Sequence, residues 1–178
     1  MRKDLGPKEI LHQGQYLRLM RQGTWEYSER VGATGIVAMV PITAQREIVL
    51  VEQYRVPTQG FVIEIPAGLV GDKVGQEEES LELAAGRELE EETGFKAGKL
   101  LRIFNGPSSA GSSNSVVTFF LATELVRVGP GGGDEHEDIT VHVVPLDKAM
   151  AWLEAQAKQG KALDPKVYAG LYFASQLT

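Results

Sequence analysis

The hydrophobic pattern of this chain changes period several times, and each change marks an element. Lys8 to His12, Tyr16 to Arg21 and Thr24 to Val31 have strand length and strand composition, with turns at Gln13-Gly14 and Gln22-Gly23. They predict an antiparallel N-terminal sheet. Such a sheet has little apolar content to bury by itself, so it must pack on the main domain or on a second subunit. Gly32 to Gly35 marks a boundary, after which Ile36 to Ile42, Ile48 to Tyr54 and Phe61 to Ile65 form β-rich runs bounded by polar or Gly/Pro turns. A glycine-rich loop over Gly68 to Gln76 leads into helical spacing from Ser80 to Thr93, with Ser80 as N-cap and Gly94 as the stop. Strand character returns at Lys99 to Phe104, Ser115 to Ala122 and Ile139 to Val144. Two further helices follow, one opening at Asp147 and stopping near Gly160, the other capped by Asp164 with Pro165 in its first position. This order predicts an α/β (α+β) fold, a mixed β-sheet sandwiched between helices, with an N-terminal antiparallel β-sheet extension. Residues 1–34 and 35–178 are the expected units.

Composition narrows the chemistry. With 178 residues, a core can stand without disulfides or a structural metal. There are no cysteines, which excludes thiol catalysis and thiolate zinc sites and fits a cytoplasmic setting. The start, Met1-Arg2-Lys3-Asp4, leads into mixed polar sequence, so no export segment is expected. The longest apolar stretch, around Gly35 to Ile42, falls far short of the ~20 residues that span a bilayer. A net charge of −6 without a basic run argues against nucleic acid as a partner. An acidic protein that handles anionic phosphates needs metal ions as intermediaries.

The informative feature is where acids fall on the Ser80 to Thr93 helix. At about 100° per residue, Glu88 and Glu92 continue the stripe of Leu81, Ala84 and Ala85, Glu91 sits at its margin, and Glu82 and Glu90 lie roughly opposite. Two inward carboxylates one turn apart repel and are costly to desolvate unless cations neutralise them. Oxygen-only donors suit Mg²⁺, with Mn²⁺ as a substitute. The alternative is an ordinary solvated acidic helix. Glu79, seven residues, then Arg87-Glu88-Leu89-Glu90-Glu91-Glu92-Thr93-Gly94-Phe95 resembles the signature of the Nudix hydrolase family, Glu-x7-Arg-Glu-U-x-Glu-Glu-x-Gly-U, with U aliphatic or aromatic. The resemblance implies the Nudix fold and hydrolysis of a phosphoanhydride, with Glu88 and Glu92 as principal metal ligands and Glu91 as an auxiliary ligand within the catalytic set. Arg87 and Glu79 would orient them. The family usually places five residues between its opening glycine and first glutamate, whereas Gly68 and Glu79 are separated by ten. The other frame puts Lys73 in the glycine position.

Further segments resemble the ADP-ribose and nucleoside diphosphate sugar pyrophosphatases of that family. In Glu64-Ile65-Pro66-Ala67-Gly68 the resemblance makes the Ala67 carbonyl a metal ligand and Glu64 a substrate-binding residue. Gln53-Tyr54-Arg55 resembles a Gln-aromatic-Arg segment whose arginine reaches the substrate phosphates, a contact that suits a guanidinium; the alternative leaves Arg55 at a strand end on the surface. Trp25-Glu26 resembles a base-binding pair that often acts across a dimer interface, with Arg30 on the same segment; packing in the dimer is the other role open to Trp25. Asp134-Glu135-His136-Glu137-Asp138-Ile139 resembles the mobile catalytic loop, giving Glu135 as base and Glu137 as metal ligand, with Gly131 to Gly133 letting it close. Without the resemblance it reads as a flexible connection. His136 reads as a loop residue, and His12 and His142 show no metal spacing. After the helix, Ser113-Asn114 stands where relatives often carry an acid. The expected substrate is thus a nucleotide sugar, ADP-ribose or GDP-mannose, and the expected assembly is a homodimer through the N-terminal strands. Competing readings are a Nudix hydrolase of triphosphates or RNA 5′ pyrophosphate, and a non-catalytic ligand sensor.

Overall fold

The structure is a computed structural model that describes residues 4–73, 75, 77–134 and 137–176. Its first three strands, β1 (Lys8–Gln13), β2 (Leu17–Gln22) and β3 (Trp25–Arg30), form a separate antiparallel sheet in that order. β3 hangs this sheet on the rest of the chain: Ser28 N donates to Ser112 O at 2.8 Å, and Asn114 N donates to Ser28 O at 3.3 Å. Only Met20 of this sheet is a buried hydrophobic residue.

The main body has two four-stranded sheets where the sequence predicts one. β4 (Gly35–Pro41), β7 (Ala67–Val70), β8 (Phe95–Pro107) and β9 (Val116–Arg127) make one, in the order β7-β4-β9-β8; β5 (Glu47–Arg55), β6 (Gly60–Glu64), β10 (Ile139–Pro145) and β11 (Ala162–Leu163) make the other, in the order β10-β5-β6-β11. Each contains one parallel pair, β4 with β9 and β11 with β6. Helix α1 (Leu81–Thr93) lies on one side, and α2 (Ala149–Lys158) and α3 (Pro165–Ser175) on the other.

β4 shows why its sequence is an unbroken apolar run. Successive side chains point to opposite faces: Val37 and Met39 pack with Ala84, Ala85 and Leu89 of α1, while Ala38 and Val40 join Leu153 of α2 and Val167 of α3. A strand covered on both faces has no polar side to alternate with. Where the sequence predicts a glycine-rich loop from Gly68, the structure has the strand β7. Its four residues pair antiparallel with β4, Ala38 opposite Ala67 and Gly35 opposite Val70, an edge partnership that leaves no period in so short a segment. β8 and β9 also run beyond their apolar stretches, because their long antiparallel pairing, with a bulge between Arg102 and Phe104, carries polar ends along. Among the described residues, no helix is long and apolar enough to cross a membrane.

Candidate active site

Local chemistry fixes where α1 starts and stops. The Ser80 hydroxyl accepts from Leu83 N at 3.2 Å, and Gly94, at φ 72°, ends the helix with its N–H on Glu90 O. Between them Ala84, Ala85 and Leu89 are fully buried, Glu92 is 2 % exposed, and Glu82 and Glu90 face solvent. The helix therefore turns part of its acid set inward.

Arg87 organises that set. Nε and Nη2 grip both oxygens of Glu79 at 3.1 and 3.0 Å, Nη1 reaches Glu88 Oε1 at 2.7 Å and Glu91 Oε2 at 3.2 Å, and Nη2 also donates to Leu69 O at 3.3 Å. The bonds from Arg87 hold the Glu79 carboxyl below its ordinary range, against the effect of burial. One guanidinium thus ties the long loop, α1 and β7 together.

Gly68 is the complement of Glu88. A Cβ at Gly68 would stand 2.0 Å from Glu88 Cδ, so only glycine lets this carboxylate cross β7. That contact favours the frame in which Gly68 opens the motif. Lys73, the residue of the other frame, instead donates from Nζ to both oxygens of Glu91, at 2.9 and 2.8 Å. Sequence reading missed this pair, although Lys73 is the sole basic residue between Gly68 and Arg87.

Glu92 accepts from Ala67 N at 3.1 Å. Burial pushes its carboxyl well above the ordinary value, and the charges of Glu137 and Glu88 push the same way. Glu88 is also raised, by burial first, against the pull of Arg87. Carboxylates that resist ionisation together are what a divalent cation would relieve, and the donor set is oxygen alone. In this respect the residues fit a hard cation. Among the described residues, no three acidic or imidazole groups are gathered at ligand distance, because Glu88 is turned to Arg87, Glu91 to Lys73 and Glu92 to the Ala67 amide.

The glycine run before the acidic loop is docked rather than free. Gly132 N donates to Glu92 O at 2.9 Å and Gly133 N to Glu91 O at 3.1 Å, while a Cβ at Gly131 would meet Thr93 C at 2.4 Å. These glycines let the backbone lie directly on the end of α1. The docking carries Glu137 to the site, where it shares a cleft of about 290 Å³ with Arg30, Arg55, Ala67, Glu88 and Glu91. Glu135 and His136 lie outside the described residues. A second cavity, about 480 Å³, shares Arg30 and Ile36 with the cleft and is lined by Arg18, Arg102, Asn105 and Asn114.

The other candidates are placed unequally. Arg55 reaches the cleft while its Nε bonds Glu64 Oε2 at 2.6 Å; Glu64 is 8 % exposed, and burial raises its carboxyl in spite of Arg55. Trp25 and Glu26 are absent from the cleft lining. As neighbours on a strand they point to opposite faces: Trp25, 56 % exposed, stands beside Tyr27 against the 110–114 loop, and Glu26 pairs with Arg21 at 3.1 Å.

Two mixed sheets between helices, with an acid-bearing helix at a cleft that also holds arginines, define a class of α/β protein whose chemistry belongs to carboxylates and anions. The chain belongs to the NUDIX domain family, which matches residues 33–169. It is 37 % identical over 129 residues to an ADP-ribose pyrophosphatase of Bacillus subtilis (strain 168), covering 72 % of this chain and 67 % of that protein. It is 34 % identical over 128 residues to a GDP-mannose pyrophosphatase of Enterobacter sp. (strain 638), covering 67 % and 64 %. The matches thus span about two thirds of these relatives, or slightly less. The crystal structure of an ADP compounds hydrolase shares the fold with a TM-score of 0.71 at 22 % identity, over 96 % of this chain and 90 % of that one. Nudix hydrolases generally require a divalent metal.

Proposed function

We propose that the protein hydrolyses the pyrophosphate bond of nucleoside diphosphate sugars, ADP-ribose or GDP-mannose among them, to a nucleoside monophosphate and a sugar phosphate, with Mg²⁺ as cofactor and Mn²⁺ able to replace it. The observation that carries this reading is the convergence of Glu88 and Glu137 with Arg55 on one cleft, backed by the buried Glu92. Names of the two pyrophosphatase relatives support the substrate class.

Glu88, Glu92, Glu137 and the Ala67 carbonyl would hold the cation. Bound there, a divalent ion neutralises the charge that gathers on phosphate oxygens during displacement. Glu135 takes the proton of the attacking water and keeps it in line with the leaving phosphate, and Glu91 assists at the margin. Arg55 grips the phosphates. Arg30 stands where the cleft meets the larger polar cavity, a position suited to the substituent beyond the phosphates.

Residues 1–34 act in this reading as a dimerisation unit. Ile10, Leu17, Leu19 and Trp25 are all exposed, Leu17 and Leu19 on one face of the sheet and Ile10 and Trp25, opposite Met20 and Gln22, on the other; a second copy would cover the Leu17–Leu19 face. Trp25 and Glu26 would then serve the partner's site, on different surfaces.

The test is a panel of nucleotide sugars, dinucleotides and triphosphates assayed with and without Mg²⁺, with products identified by mass. The expected outcome is metal-dependent release of a monophosphate and a sugar phosphate, nearly abolished in Glu88→Gln. Cleavage of triphosphates alone, or equal turnover after chelation, would falsify the proposal.

A further inference from the structure

Gln53 has no task in the catalytic reading, yet it is costly where it stands. It is 6 % exposed on β5, and among the described residues its Nε2 is the buried side-chain polar atom that lacks a hydrogen-bond partner. Native interiors rarely leave such a donor unpaired, so the atom calls for an explanation.

The sheet register says what Gln53 faces. Gln53 pairs with Val62 and Arg55 with Gly60, while Glu64 stands opposite Val51. Residues two apart on a strand, and those directly opposite across the ladder, share a face. Val51, Gln53, Arg55, Val62 and Glu64 therefore lie on one side of the sheet. The 2.6 Å bond from Arg55 Nε to Glu64 Oε2 runs between the two ends of this patch and passes over the Gln53–Val62 pair. On its other edge Gln53 pairs with Ile139 of β10, the strand that follows Glu137. Gln53 and Glu64 are diagonal neighbours, for which side-chain origins lie about 7–8 Å apart, within reach of two residues of this length.

Glu64 is buried, and an anion there needs a donor. Arg55 supplies it, but Arg55 also lines the catalytic cleft beside Glu88 and Glu137. One guanidinium has two claims on it. We infer that Gln53 is a positioning residue that releases Arg55: when Arg55 turns from Glu64 to a substrate phosphate, Gln53 Nε2 donates to the Glu64 carboxylate in its place. No covalent bond changes. The exchange lets Arg55 move without stranding a buried charge, so phosphate binding does not have to meet that cost. This rests on the proposed reading of Arg55 as a phosphate contact.

The experiment measures binding of the non-hydrolysable α,β-methylene analogue of ADP-ribose to the Mn²⁺-loaded protein by calorimetry, and binding of Mn²⁺ alone by electron paramagnetic resonance. Gln53→Met keeps the volume and removes the donor. It should weaken the analogue about tenfold or more, the scale of a hydrogen bond to a charged group, and leave Mn²⁺ affinity unchanged. In a Glu64→Gln background, where no anion is left behind, the same substitution should have no effect. Unchanged binding in Gln53→Met, or an equal loss with Glu64 present and replaced, overturns the inference. Arg55→Ala separates the two levels. If it leaves analogue binding intact, the phosphate-contact reading fails and takes this one with it; if it weakens binding while Gln53→Met does not, this inference alone fails. Should Gln53→Met not fold, Gln53→Asn, whose amide is one methylene short of Glu64, carries the same expectation.

Discussion

Two residues show how the site depends on what is absent from a side chain and on what is charged. Gly68→Ala adds one methyl group, and that methyl would stand 2.0 Å from Glu88 Cδ, displacing the carboxylate or lifting β7 from β4. A misplacement of this size in a reacting centre costs on the order of 100-fold in rate. Turnover of ADP-ribose in Gly68→Ala should fall by about that factor, with a parallel loss of Mn²⁺ affinity, while far-UV circular dichroism stays unchanged. Glu92 gives a prediction in pH. Burial raises its carboxyl well above the ordinary range, so the folded state binds that proton more tightly than the unfolded chain does. Stability from this group is fully present below the unfolded value, about 4.3, and is lost as pH rises through the higher folded value. Glu92→Gln is spared that loss. Without divalent metal, the variant should melt above the parent at pH 8, and the gap should shrink as pH falls toward 5. A gap that widens toward low pH would mean that Glu92 is held ionised by partners instead.

At the scale of elements, α1 and the loop docked on its end behave as one unit. Gly131 has φ 72°, and an added Cβ would meet the backbone carbon of Thr93 at 2.4 Å, with no flexible side chain able to give way. Gly131→Ala should cost more than the roughly 1–2 kcal/mol of a left-handed backbone alone, read as a lower urea midpoint. It should also lower turnover, because Gly132 and Gly133 hold the segment that brings Glu137 to the cleft. This docking was only half legible in the sequence. The acid spacing on α1, its Ser80 cap and its Gly94 stop could be read directly, since each is a rule about neighbours within one turn. The glycine run suggested freedom, because a glycine that permits motion and one that permits close approach look alike until the opposing backbone is known. β7 escaped for a related reason: four residues on a sheet edge owe their conformation to β4, which lies about thirty residues upstream, and local pattern does not report a partner. Trp25 and Glu26, adjacent in sequence, suggested one binding surface, and strand alternation divides them between two.

Assembly is the question that belongs to the whole molecule. The N-terminal sheet buries Met20 and leaves Leu17 and Leu19 half exposed on one face of β2, and in the β2–β3 register Arg30 stands directly opposite Leu17. Arg30 is also a wall of the cleft that holds Glu88 and Glu137. Whatever covers Leu17 and Leu19 therefore lies beside the mouth of the site, which makes assembly and substrate affinity two consequences of one surface. A stable dimer needs upward of about 1,000 Å² of total buried area, and a single charge at the centre of such a contact is enough to open it. Light scattering should give the wild-type chain, of 19.4 kDa, twice its own mass at micromolar concentration. Leu19→Glu should shift it to the monomer, with a rise in KM larger than any fall in kcat, because Glu88 and Glu92 stay within each protomer. A variant that becomes monomeric and keeps its KM would show that the sheet serves folding alone. A variant that stays dimeric would place the contact on another face.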